Sequence, residues 1–351
     1  MNILHIANHV KQSGNGIVNV MIDLACSQAK FGHNVAVASG GGEYVELLQR
    51  NNIRHYKLDQ TRKPVQMVRA FYHYRKLVKQ FKPDIVHAHM MTGALLSRLF
   101  RGLRKYKIVT HVHNEFQKSA DFMKVGDSVI AVSQAVAKSM LSRGVQEQKL
   151  HVVLNGTVGS PRKEAADEEI QLKGPSIVTV AGLYERKGIQ DLIEAFEIVG
   201  AECPEAHLYL LGDGPDRPKF EMKANESLRK SQIHFLGYKP HPQKYMGAAD
   251  VFVLPSHKES FGLVLIEARE AGCPIVATNV DGIPEALDFG KSGMLVPPKS
   301  PDQLAEAILR MLKDAGVREH YRKRALQGLE YYSIERVARE TLRIYEELKR
   351  G

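Results

Sequence analysis

Two glutamates, Glu259 and Glu267, bracket the stretch ESFGLVLIE, and carboxylates at a fixed separation admit three readings. They are an acid/base couple that cuts a bond, two acceptors that grip one substrate, or a helix cap beside a surface charge. Ser260 or Glu259 is placed to cap a helix beginning near Phe261, with Gly272 and Pro274 to end it. Carboxyls that cleave a glycosidic bond stand about 5–9.5 Å apart. A helix running the full eight residues would separate them by about 12 Å. That spacing favours gripping over cutting. The N–H groups of Phe261, Gly262 and Leu263 would then face a phosphate at the helix N-terminus. Ser260, Leu263 and Glu267 share one stripe of that helix, so Glu267 turns toward the same ligand.

Cations with matching chemistry lie upstream. AGLYERKGIQDLIEAF sets Arg186, Lys187 and Gly188 between a strand end and a helix. Arg offers forked donors and Lys a compact charge, a pairing suited to a diphosphate; solvated loop charges are the plainer reading. LLGDGPDRP adds a second glycine-rich turn through Gly212, Asp213 and Gly214. KQSGNGIVNVMIDLA puts Gly14 and Gly16 before a helix, where backbone N–H groups approach an anion. Its spacing is not GxGxxG and no acid closes the next strand, which argues against a dinucleotide.

Two H-x-H pairs, His87 with His89 and His111 with His113, complete the candidates. Residues two apart on a strand share a face, so each pair offers two imidazoles to one metal. A metal hydrolase is the alternative this supports, although Asp84 and Glu115 are the nearest carboxylates in sequence.

The elements that position these groups follow from period and punctuation. NILHIA, NVAVAS, DIVHAHM, KIVTHVH, SVIAVS and LHVVLNG are short apolar runs separated by helix-length segments. SIVTVAG, AHLYLLG, IHFLG, VFVLPS, PIVAT and GMLVP restart the pattern. Such alternation predicts an α/β protein of two doubly wound parallel sheets facing across a cleft, with ligands at the carboxyl ends of the strands. The charged, proline-bounded segment Ser160–Pro175 reads as the linker, placing domains at 1–165 and 166–333. SIERVARETLRIYEELKR is a long amphipathic helix over 334–351, expected to pack back on the first domain.

Composition narrows the partners. The 351 residues carry a net charge of +10, and Arg62 to Lys124 holds fourteen Lys or Arg against three acids. That patch favours phosphate-bearing partners. Trp is absent and no basic run alternates with aromatics, so nucleic acid is not expected. ALLSRLFRGLRKYK (Ala94 to Lys107) reads as a basic amphipathic helix suited to an anionic membrane surface. Cys26, Cys203 and Cys273 form no CxxC pair, which points to a reducing compartment. No run approaches the ~20 apolar residues of a membrane span. A cytoplasmic protein, peripheral at most on the inner face of the membrane, is the expectation.

The E-x7-E stretch, set within AADVFVLPSHKESFGLVLIEAREAGCPIVATNVDGIPEAL, resembles the retaining GT-B glycosyltransferases of the glycogen-synthase and sucrose-synthase-like group. VVLNG, RKG, GDGP, FLGY and SGMLVPPKSPDQLAEAI follow in the order that group shows. The resemblance covers nearly the whole chain and is most specific in the second half. It implies two Rossmann-like domains, with a nucleotide-diphosphate sugar donor held mainly by the C-terminal one. The acceptor, a sugar, a lipid-linked or a small molecule, would fall to the N-terminal domain. Transfer with retention is implied, in the making of cell-surface polysaccharide or glycolipid. By the same resemblance Arg186 and Lys187 contact the donor diphosphate, and Phe261, Gly262 and Leu263 surround the donor sugar and phosphates. Glu259 lies beside the sugar, Glu267 at the ribose, His113 near the sugar, and Gly14 and Gly16 near the phosphates. Two departures stand out: AGLYERKG has Gly182 where the family often has GR, and SGNG replaces adjacent glycines. With no D-x-D string, no cofactor and no essential divalent metal are expected. A nucleotide-sugar epimerase on the same fold is a further alternative.

Overall fold

A computed structural model describes residues 1–61, 63–102, 104–163 and 170–350. The chain divides into two compact units, Met1–Glu164 with Tyr332–Gly351, and Ala165–Tyr331. Residues 164–169, the centre of the linker drawn from sequence and the place of its 165/166 boundary, lie outside the described residues. So do Arg62 and Leu103 of the basic stretch and Gly351 of the terminal helix.

Unit 1 is built on β1 (Asn2–Ile6), β2 (Asn34–Ser39), β3 (Arg54–Lys57), β4 (Ile85–Ala88), β5 (Lys107–Val112), β6 (Ser128–Ala131) and β7 (Leu150–Val152). Their order is β3-β2-β1-β4-β5-β6-β7, and every neighbouring pair is parallel. The central strands are covered on both faces, which is why they read as continuous apolar runs. β3 is the exception: its residues, RHYK, are exposed or half-buried at the sheet edge and form no such run.

Helices Gly16–Lys30, Tyr44–Arg50 and Ile334–Arg350 share one core cluster with this sheet. Gly16–Lys30 packs against the terminal helix Ile334–Arg350, which returns to unit 1. Ile334, Val337, Ala338, Thr341, Leu342 and Tyr345 are its buried stripe, spaced at helical period. Each large apolar side chain so buried contributes about 1.5–3 kcal/mol. A short parallel bridge between Val158 and Ser333 fixes where the chain re-enters.

Unit 2 repeats the design with β8 (Ser176–Val180), β9 (His207–Leu211), β10 (Ile233–Gly237), β11 (Val251–Leu254), β12 (Ile275–Thr278) and β13 (Met294–Val296). The order is β10-β9-β8-β11-β12-β13, again all parallel. Helices Ile189–Glu202 and Pro301–Lys313 pack together through Ile189, Leu192, Phe196, Leu304 and Ile308. Arg269 is wholly buried: Nε donates to the Ala325 carbonyl, Nη1 to that of Ala286 and Nη2 to that of Gln327, at 3.1, 2.8 and 2.6 Å. Its charge is met by Asp288 at 2.9 Å.

The basic amphipathic helix expected over Ala94–Lys107 is not continuous. The helix is Met91–Leu99, and β5 begins at Lys107. Arg101 is instead paired with Asp127 at 2.9 Å, and Arg104 donates to the Arg75 carbonyl. Arg101 thus meets an acid just before β6 and does not lie on a helical stripe. No helix among the described residues is long and apolar enough to cross a membrane.

Candidate active site

In an open parallel sheet, ligands bind where the strand order reverses. In unit 2 that is between β8 and β11, and the loops leaving their carboxyl ends carry RKG and ESFG. Gly188 is what lets these loops touch. It sits at φ +65°, and a Cβ there would lie 1.9 Å from the Pro255 carbonyl oxygen. The His257 N–H donates to the Arg186 carbonyl at 2.8 Å, and the His257 ring meets Asp191 at 2.7 Å. The contact brings the Lys187 ammonium onto the Glu259 carboxylate as an ion pair, with side chains 12% and 13% exposed. Glu259 is fixed through its backbone as well: its N–H donates to Asp281 and its carbonyl accepts from Gly282, both at 3.0 Å. The Arg186 guanidinium lies over the Tyr184 ring, 5.8 Å from its centre. Two adjacent cations on a short, pinned loop are a place for a doubly charged anion, and a partly desolvated ammonium binds one more strongly than a solvated one.

The helix after ESFG starts later than its sequence indicates. It spans Leu263–Glu270, and Gly262 precedes it in the left-handed region at φ +86°. Ser260 and Phe261 are buried ahead of that turn, so Ser260 is not the cap and lies off the helical stripe. Only Leu263 to Glu267 is helical, a rise of about 6 Å. The separation inferred from a fully helical stretch therefore does not apply. The Lys187–Glu259 pair is the firmer argument for gripping, because it commits one of the two acids to an ammonium. Glu267, one turn beyond Leu263, is half-buried on the second turn of the helix.

The equivalent reversal in unit 1 lies between β1 and β4, and histidines gather there. His5 of β1 is in register with His87 of β4; His89, His111 and His113 follow at the ends of β4 and β5. The rings stack side by side with centroids 4.1 to 5.6 Å apart. Burial drives all five toward the neutral form: His5 falls to about 4, His113 to about 3, and His87, His89 and His111 well below the ordinary histidine range. A cavity of about 160 Å³ opens beside them, lined by His89, His111 and His113 with Asn8, Ile17 and Asn114. In the glycine loop Gly14 has φ +68°, and Gly16 opens the helix. The Asn15 side chain caps that helix by accepting from the Ile17 N–H at 3.0 Å, taking a donor an anion would otherwise receive.

The structure thus brings Arg186, Lys187, Glu259, Phe261, Gly262, Leu263 and Glu267 to one strand-end cluster in unit 2. Gly14, Gly16 and His113 belong to unit 1. Sequence reasoning missed His257, Asp191 and Asp281, which pin the cluster, and His5, which joins the histidine row. His5 stands in the first apolar run, but its relation to His87 needs the strand order to be known.

Two family models match the chain: Glycosyltransferase Family 4 over residues 14–157 and Glycosyl transferases group 1 over residues 161–328. An uncharacterized glycosyltransferase of Methanocaldococcus jannaschii is 26% identical, with 92% of each chain aligned. The lipopolysaccharide core biosynthesis glycosyltransferase LpsE of Rhizobium meliloti is 24% identical over 80% of this chain and 79% of its own. Among solved structures, Anabaena HepE in complex with UDP-glucose has a TM-score of 0.82 at 19% identity, covering 99% of each chain. The last likeness is one of fold.

Proposed function

We propose that this chain, which belongs to the GT-B glycosyltransferases built from family 4 and group 1 domains, moves a sugar from a nucleotide-diphosphate sugar to an acceptor with retention of anomeric configuration. The observation that carries the reading is the Lys187–Glu259 pair, made by two loops at the strand-order reversal of unit 2. Cleaving the anomeric C–O bond leaves positive charge on the sugar and negative charge on the departing diphosphate. Lys187 and Arg186 stabilise the diphosphate, and the N-terminus of Leu263–Glu270 adds its dipole. Glu259 holds the ammonium in place and accepts from a hydroxyl of the sugar; Glu267 takes the ribose hydroxyls. Phe261, Gly262 and Leu263 lie around the donor sugar and phosphates; the candidate residues of unit 1, Gly14, Gly16 and His113, stand at the strand-order reversal of their own sheet. No cofactor and no essential divalent metal enter this scheme, since the cations of the chain neutralise the leaving group.

The relative active in lipopolysaccharide core biosynthesis supports a sugar or lipid-linked acceptor in cell-surface polysaccharide or glycolipid synthesis. Lys79, Lys82, Arg104, Lys105 and Lys107 line a surface cavity of about 500 Å³ in unit 1, which supports a place at an anionic membrane surface on the cytoplasmic side. UDP-sugars are the first donors to test, since the structural neighbour binds one. Nucleoside diphosphate release is measured across donors and acceptors, and the product is analysed with acceptor omitted. Lys187→Ala should lower kcat/KM by about 10²–10³-fold, the usual effect of removing one charge-stabilising donor, and Glu267→Gln should raise KM for the donor. Full activity in both variants would refute the site. A changed sugar on the nucleotide without acceptor would replace transfer by epimerisation.

A further inference from the structure

The histidines of unit 1 are joined into a directional chain. The Gln28 carboxamide oxygen meets His5 Nε2 at 2.8 Å; His5 Nδ1 meets His89 Nε2 at 3.0 Å; His89 Nδ1 meets His113 Nε2 at 3.1 Å. At the other end the Gln28 amide N–H donates to the Tyr345 hydroxyl at 3.3 Å, and that hydroxyl bonds to His87 Nδ1. His113 Nδ1 is buried and has no hydrogen-bond partner, and it belongs to a ring that lines the cavity beside Asn8 and Asn114.

A neutral imidazole carries one proton, so each link dictates the next. A carboxamide oxygen only accepts, which requires Nε2–H on His5. Bare Nδ1 of His5 must then receive Nε2–H from His89, and bare Nδ1 of His89 must receive Nε2–H from His113. We propose that Gln28, anchored by Tyr345, is a positioning residue that sets the tautomer of His113 through His5 and His89, leaving His113 Nδ1 as a bare acceptor. Resting on the function proposed above, this deepens the role of His113: it accepts a hydrogen bond from a substrate hydroxyl and has no proton to give. Burial supports the bookkeeping by keeping each ring to a single proton near neutral pH. The two groups of histidines whose nitrogens lie within 4.8 Å of one another, His5–His87–His89 and His89–His111–His113, both include His89. The chain uses both of its nitrogens, one donating to His5 and the other accepting from His113, so His89 has no lone pair left for a metal.

The test uses the full chain labelled with ¹⁵N-histidine, in which two-bond ¹⁵N–¹H spectra separate protonated from bare ring nitrogens. His5, His89 and His113 should all show Nε2–H with bare Nδ1. Gln28→Leu removes the anchor and should convert the His113 signal to a mixture of tautomers. His5→Phe, which keeps a flat buried ring, cuts the chain one link later and should give the same mixture. Nδ1–H on His113 in the wild-type protein, or an unchanged His113 signal in both variants, overturns the relay. So would zinc retained by the purified protein on a His89 nitrogen, since the relay commits both of them. By breaking the relay, Gln28→Leu should also lower kcat/KM about tenfold, the worth of one hydrogen bond, while the affinity for nucleoside diphosphate stays unchanged. Unchanged kcat/KM beside a changed tautomer overturns the role toward the substrate hydroxyl. Absence of any sugar transfer refutes the proposed function and leaves the spectra to decide the relay.

Discussion

The two units share a strand plan, yet they arm the same position in opposite ways. Where β1 and β4 diverge, unit 1 places stacked imidazoles that burial holds neutral. Where β8 and β11 diverge, unit 2 places an ammonium–carboxylate pair. The difference comes from depth. His5 and His87 sit within strands and are fully enclosed, where a charge without a partner is costly. Lys187 and Glu259 sit one loop further out, where each meets its counter-ion and backbone donors pin the loop. A common sheet thus chooses the address of a site, and distance along the strand chooses its charge.

The comparison is broken most sharply by acid. The five histidines have folded pKa values below the unfolded value of 6.5, so below that pH the unfolded chain binds more protons than the folded one. Their contribution is therefore present above pH 6.5 and is lost as pH falls toward the folded values of about 4 for His5 and about 3 for His113. Each proton taken up steepens the loss by about 1.4 kcal/mol per pH unit. Hydrogen exchange between pH 7 and pH 5 should show β1 and β4 amides losing protection before those of β8 and β11. Equal loss in both units would remove depth as the cause.

A second break concerns charge that is buried in unit 2 among three carbonyls and a carboxylate. Arg269→Ala leaves three carbonyls and Asp288 without their partner and should cost about 3–5 kcal/mol, read by urea unfolding. Unit 1 protection should change little. The smallest effect sharpens the contrast at the glycine loop. Asn15→Ala removes the cap of Gly16–Lys30 and should cost about 1 kcal/mol, measured as a shift in unfolding midpoint.

Much of this was legible in the residues, for identifiable reasons. Twelve of the strands announce themselves as apolar runs because parallel sheets bury both faces; β3, with RHYK at an edge, had no run to show. RKG and ESFG were legible as separate motifs, but their contact depends on Gly188 touching Pro255, which no local pattern reveals. Ser260 looked like a cap because Ser usually is one; Gly262 took the turn because the left-handed conformation suits it better. The basic run from Ala94 looks helical by charge and period, but the helix ends at Leu99 and Arg101 meets Asp127, which lies 26 residues further along the chain. The relay was the least legible. His5, Gln28 and Tyr345 come from a strand, a helix and the last helix, and only their docking makes them neighbours.

That last helix also bears on how the protein is made. On the ribosome the strands of unit 1 emerge first, but Ile334–Arg350, which supplies Tyr345 and covers Gly16–Lys30, emerges after all of unit 2. The face of Gly16–Lys30 that this helix covers therefore stays open on the nascent chain until the second unit has been synthesised.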